Sequence, residues 1–217
     1  MGTLYAVYEG PDSFPALQAR LDRLCAAVRK NGGCVAVCGG ERLLALFPGG
    51  AWDGIRAAVE FRESFRAEGA AEPHLVVDRG EVTLGTAAGT VQAFSAGIAR
   101  SARLAGALPE WGVTGLLTAG ALSSLGEGQV PCVRLVGFGA DGRRYELLDG
   151  LPYHQKKLLL ATRADFELGV DAQERGDGAQ ARRCFAAVVG VDRGDRAALF
   201  HLSACGKAGD EGWNGTG

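Results

Sequence analysis

A chain of 217 residues, 47% of them apolar, can bury the core of one medium domain or of a domain with a small appendage, which excludes the disordered class. The formal net charge is -2 and no basic stripe is present, which excludes nucleic acid as a main partner. No apolar run reaches the roughly 18–20 residues of a membrane helix, and the N-terminus lacks the basic head and apolar segment of a secretory leader, so the expected setting is cytoplasmic with no membrane partner.

Residues 3–9 (TLYAVYE) are β-branched and aromatic and predict a first strand. Phe14–Lys30 places Phe14, Leu17, Leu21, Leu24/Cys25 and Val28 at spacings of three and four, the pattern of an amphipathic helix, and Asn31-Gly32-Gly33 stops it. Apolar runs at 34–38 and 43–47 flank Gly39-Gly40-Glu41-Arg42 and predict a hairpin. Residues 52–68 predict a second helix through Ile55, Ala58/Val59, Arg62 and Phe65. Strands are expected at 75–77 and 82–84, a third, Ala-rich helix at 92–108, and further strands at 115–118, 133–138 and 143–148. Strands alternating with helices predict an α+β fold with helices layered on a sheet.

After Gly150-Leu151-Pro152 the pattern is helical as far as Gly206, and the tail 209–217 is glycine-rich and expected to fray. The expected division is therefore an α/β domain over 1–150 and a helical extension over 151–217. The six cysteines sit in mostly apolar surroundings and are expected to be reduced core thiols; Cys34 and Cys38, four apart in a strand, are expected on one face. The glycine run 85–89 (GTAAG) lacks the Lys-Ser/Thr of a phosphate-binding loop and is expected to be an ordinary loop.

Several segments in order resemble the class III adenylate/guanylate cyclase domain. NGG, six residues, then GERLLALF resembles that family's helix stop, strand, Gly-Asp turn and strand. HLVVDRGEVTLG resembles its strand–His-Thr-Gly–strand segment, FSAGIARSARL its Asn-x-x-x-Arg helix, and VRLVGFGADGRRYELL its closing strand pair. The resemblance spans about residues 3–148. It implies a ferredoxin-like α/β sandwich with helices on one face of the sheet, usually working as a dimer.

The family's reaction joins a ribose hydroxyl to the α-phosphate of a nucleoside triphosphate. Two carboxylates hold divalent metals, an Arg and an Asn stabilise developing charge, and a Lys and an Asp read the base. The resemblance places the second metal carboxylate on Glu41 and the first on Val7, which cannot ligate; Glu9, two residues on, faces the same side of a strand. The base-reading pair falls on Val37 and near Gln92, the Asn on Ala99 and the Arg on Arg103. Arg103 is thus a vestigial catalytic candidate, with Glu41 and Glu9 as candidate metal ligands. Solvated or ion-paired readings stand beside these: Glu41 as a turn residue, Arg103 as a helix arginine paired with Glu81 or Glu110.

In the extension, Phe166, Leu168, Gly169, Gly176, Ala181 and Phe185 resemble one tetratricopeptide repeat, and Leu202 recurs 34 residues after Leu168. Gly169 and Ala181 would let two helices approach, with Leu168 and Phe185 filling the space between; a plain helical hairpin is the other reading. Together these features predict a catalytically degenerate cyclase-like module acting in intracellular signalling through a protein partner, as a homodimer or with another cyclase domain, and requiring no cofactor. The alternative is a divergent purine nucleotide cyclase that binds ATP or GTP with Mg or Mn through Glu9, Glu41 and Arg103.

Overall fold

The structure is a computed structural model and describes residues 1–8, 14–39, 41–87 and 90–207. Its main sheet has seven strands in the order β2-β3-β1-β4-β7-β9-β8. These are β1 (Gly2–Val7), β2 (Cys34–Gly39), β3 (Arg42–Phe47), β4 (His74–Arg79), β7 (Gly115–Thr118), β8 (Val133–Gly139) and β9 (Gly142–Leu147). β1 runs antiparallel to β3 on one side and to β4 on the other, while β4 and β7 are parallel. A separate hairpin pairs β5 (Thr83–Ala87) with β6 (Thr90–Phe94).

Alternation along the strands sends side chains to two cores. Leu4, Ala6, Leu43, Ala45, Phe47, Leu75 and Val77 form the first, beneath α1 (Phe14–Lys30), α2 (Ala51–Ala67) and the short α4 (Ala119–Ser123). Tyr5, Leu44, Leu46, Val76, Leu116 and Leu135 form the second. That second face is covered by α3 (Ala96–Trp111) and by the helical extension. The extension comprises α5 (Tyr153–Ala161), α6 (Arg163–Glu174), α7 (Gly178–Val191) and α8 (Arg196–Lys207). Helices therefore lie on both faces, where the resemblance implied one. A central strand buried on both sides must be apolar throughout, which is why residues 2–7 carry no charge.

Charged residues inside the core act as ties. Arg62 lies on the apolar stripe of α2, wholly buried, and donates to the Leu147 and Asp149 carbonyls at 2.6 and 2.8 Å and to Thr114 Oγ1 at 2.9 Å. It holds α2 to the end of β9 and the start of β7. On the opposite face Arg134 of β8 donates to Glu146 Oε2 at 2.6 Å and to both Asp195 oxygens at 2.6 and 3.0 Å. Asp195 also caps α8 through Ala198 N at 3.0 Å. Glu167 of α6 accepts from Leu135 N at 2.8 Å, and His201 of α8 meets the Val136 carbonyl at 3.0 Å. The extension thus supplies the partners that β8 needs at its own irregularity, between Leu135 and Gly137.

Five sequence expectations are corrected. Residues 90–94 form a strand, and its residues 92–94 were expected to begin a helix; Ser95 then caps α3, its hydroxyl accepting from Gly97 N. Gly85, Thr86 and Ala87 belong to β5 and not to a loop, with Ala88 and Gly89 outside the described residues. Cys34 and Cys38 do not share a face. The pairing slips between Val35 and Val37, so Cys34 sits opposite Leu46 of the second core and Cys38 opposite Leu43 of the first. All six cysteines are free, and Cys34 and Cys38 are exposed rather than buried. In the extension Phe185 and Ala181 are buried as expected, but Leu168 is 43% exposed and fills no space between helices. The expected fraying of the tail falls on residues outside those described.

Candidate functional site

Two places carry the residues singled out by sequence. At the end of β1, Val7 lies directly between Arg42 of β3 and His74 of β4 in the sheet register. All three belong to the second face, so the side-chain row reads Arg42–Val7–His74. Glu41 occupies the β2–β3 turn, exposed, with its carbonyl accepting from Tyr8 N at 3.0 Å. The topology does bring positions 7 and 41 together. Among the described residues here, only Glu41 offers a carboxylate, and two basic side chains flank the apolar one. No group of three or more His, Cys, Asp or Glu able to hold a metal ion occurs among the described residues. These groups do not fit a divalent cation, which needs several oxygen ligands and a local excess of negative charge. Glu9 lies outside the described residues.

The second place is a cleft of about 590 Å³ along α3, lined by Arg100, Arg103, Trp111, Asp141, Arg144 and neighbouring alanines. Its Arg100 is anchored outside the lining by Asp78, 1% exposed at the end of β4. Asp78 accepts from Arg100 at 2.5 Å, from Thr118 Oγ1 at 2.6 Å and from Arg79 N at 2.8 Å. Arg100 also lies 3.5 Å from Asp141, which pairs with Arg144 at 3.2 Å. The Arg144 guanidinium lies 5.4 Å from the Trp111 ring centroid. Charge-assisted bonds of this kind order their members more firmly than neutral ones do.

Arg103 is exposed in this cleft and pairs with neither Glu81 nor Glu110; among the described residues it makes no ion pair. Ala99, one helical turn earlier on α3, is also exposed. Val37 is exposed on β2, and Gln92 belongs to β6 rather than to α3. The cleft lining includes Arg103 but neither Val7 nor Glu41. The sequence signal for Asp78 is slight: an acidic residue at the end of an apolar strand. Its pairing with Arg100 follows from β4 lying under α3, which no local pattern encodes.

No protein-family profile matches the sequence, and no curated protein matches it by sequence. The fold, by contrast, is similar to solved nucleotide cyclases. A bacterial light-regulated adenylyl cyclase aligns with a TM-score of 0.58 at 10% identity over 74% of this chain, which spans 55% of that cyclase's length. An adenylate cyclase of Trypanosoma brucei in its monomeric state aligns at 0.52 with 13% identity, over 68% of this chain and 87% of that one. A dimeric guanylyl cyclase domain of the RhoGC fusion protein from Blastocladiella emersonii aligns at 0.53 with 12% identity, over 68% and 96%. The α+β fold is therefore of the nucleotide-cyclase type. Among the described residues no helix is long and apolar enough to cross a membrane.

Proposed function

We propose that this chain is a cyclase-like module that has lost turnover and acts in intracellular signalling through contact with a protein partner, a second copy or another cyclase domain. One observation supports the reading: at Val7, the position to which the resemblance assigns the first metal-bearing carboxylate, the neighbours in the sheet register are Arg42 and His74. A cation at that point would meet the Arg42 guanidinium and no carboxylate from β1. Ala99 in place of an amide donor supports the same reading, since losing one such donor costs on the order of 100-fold or more in rate. The six free cysteines are in keeping with a reducing, cytoplasmic setting. The close packing of α6 on α7 through Gly169, Ala181 and Phe185 supports a tetratricopeptide-like extension as part of the interaction surface. The module needs no cofactor.

Calorimetric titration with MnATP and MnGTP, followed by an assay for cyclic product, tests this. The module neither binds metal–nucleotide at Glu41 nor forms cyclic product. Turnover that Glu41→Ala abolishes would overturn it in favour of a divergent cyclase using Glu9, Glu41 and Arg103.

A further inference from the structure

The helical extension does not close completely on the sheet. Between them lies a cavity of about 210 Å³. Its walls are Val113, Val136 and Phe138 from the sheet side, Val170 and Phe200 from the extension, and Trp111 from α3. An apolar cavity of about 150 Å³ suffices for benzene, so this one holds a six-membered ring with a small substituent.

Four polar residues reach the cavity. Gln173 and His201 already serve one another at 2.7 Å, and also the Val136 carbonyl and the Cys205 sulfur. Glu174 is exposed, at the rim. Arg144 differs. Its side chain is only 14% exposed, one guanidinium nitrogen pairs with Asp141, and its Nε is buried with no hydrogen-bond partner. The cavity therefore presents apolar and aromatic walls and the Arg144 guanidinium, of which Asp141 engages one nitrogen, the composition of a small-molecule site.

We propose that this cavity binds a small aromatic monocarboxylate, with its ring among Trp111, Phe138 and Phe200 and its carboxylate on Arg144. The guanidinium fork matches a carboxylate geometrically. Glu174 at the rim opposes a second negative charge, which selects a monoanion over a phosphate monoester. Because the walls come from both the sheet and α6 and α8, an occupant clamps the extension to the sheet. Trp111 and Arg144 also line the α3 cleft, so occupancy is felt there too. The site is independent of Val7 and Glu41 and stands whether or not the chain turns over nucleotides.

The test is titration of the full chain with benzoate, followed by calorimetry and thermal unfolding, beside benzamide and phenyl phosphate. Benzoate is expected to bind and to raise the unfolding temperature. Benzamide, the uncharged isostere, and the dianion phenyl phosphate should each bind about tenfold or more weakly, the difference one charge-assisted bond makes. Arg144→Gln should cost benzoate a similar factor, and Ala204→Phe, which fills the cavity, should abolish binding. Absence of benzoate binding at ~10 mM, near the weak end of small-ligand affinity, would overturn the proposal. So would equal affinity for benzamide, tighter binding of phenyl phosphate, or unchanged affinity in Arg144→Gln. If a variant fails to fold, the three-ligand series on the unaltered chain decides alone.

Discussion

His201 shows how much one side chain can be asked to do. Its ring stacks on Phe185 with centroids 4.8 Å apart and meets Phe166 and Phe200 edge-on. Burial is the main reason its pKa falls to about 4; nearby Arg134 adds to this, while the Val136 carbonyl and Asp195 pull the other way. A neutral ring donates once only. Its two acceptors on offer are the Val136 carbonyl, 3.0 Å from Nε2, and Gln173 Oε1, 2.7 Å from Nδ1, while the Gln173 amide nitrogen donates to Cys205 Sγ. A histidine with a folded pKa below its unfolded value of about 6.5 makes stability fall as pH drops between those two values, because the unfolded chain takes up the proton first. Between pH 7.5 and 5.0 the loss is expected to be about 2 kcal/mol. Urea unfolding at both values, compared with His201→Gln, checks this: the variant should be weaker at pH 7.5 but should lack that share of the slope.

Asp195 belongs to the same scale. It neutralises Arg134, whose guanidinium lies 4.0 Å over the Phe166 ring, and it caps α8. Burial would lower the Arg134 pKa, but Glu146 and Asp195 outweigh it and the net shift is upward, so the guanidinium stays charged. Removing one partner of a buried pair strands the other. Asp195→Ala is expected to cost about 3–5 kcal/mol, including the lost cap. Asp195→Asn, which can still cap, should cost less. Equilibrium unfolding of both variants measures the difference. Losses under 1 kcal/mol would mean that the pair is not what holds the extension down.

At the scale of elements, legibility followed locality. α1 could be read to the residue because its apolar stripe and its Asn-Gly stop are local signals. β6 was hidden, since TVQAF runs into an Ala-rich helix and only the Ser95 cap marks the boundary. The slip in β2 was invisible, because an extra residue in a strand leaves composition unchanged while reversing the faces that follow. The α6–α7 contact was legible in part. Gly169 marks it correctly, and a Cβ there would sit 2.9 Å from the Phe185 ring. Leu168, one residue away, points elsewhere. Gly169→Ala should therefore force α6 and α7 apart and cost about 1–3 kcal/mol, the range for overpacking a tight contact. Thermal unfolding reads it, with Gly190→Ala as a control, a position where an added Cβ meets nothing.

For the whole molecule, the sheet and the extension share a core, although the sequence changes character near residue 150. Phe166, Val170, Ala181, Phe185 and Val188 are buried in one cluster with Leu104, Val113, Leu116 and Leu135. Gly112 makes the close approach possible: at φ 69° it ends α3, and any Cβ there would run into Arg196 of α8. The candidate site at this scale was only half legible. That positions 7 and 41 come together follows from β1 pairing with β3, whereas the α3 cleft and the cavity beneath α8 depend on where the extension lands. A chain ending at Gly150 would uncover the second core and leave Arg134 and Glu146 without Asp195. Each large apolar side chain returned to water costs roughly 1.5–3 kcal/mol, and a domain has only about 5–15 kcal/mol in total. Exposing four or five of them costs about as much as that whole margin. The 1–150 fragment is therefore expected to be insoluble or to lack a cooperative unfolding transition by circular dichroism, and adding residues 151–207 as a separate chain should restore one. A fragment that melts cooperatively by itself would mean that the cyclase-like sheet is complete without its helical cover.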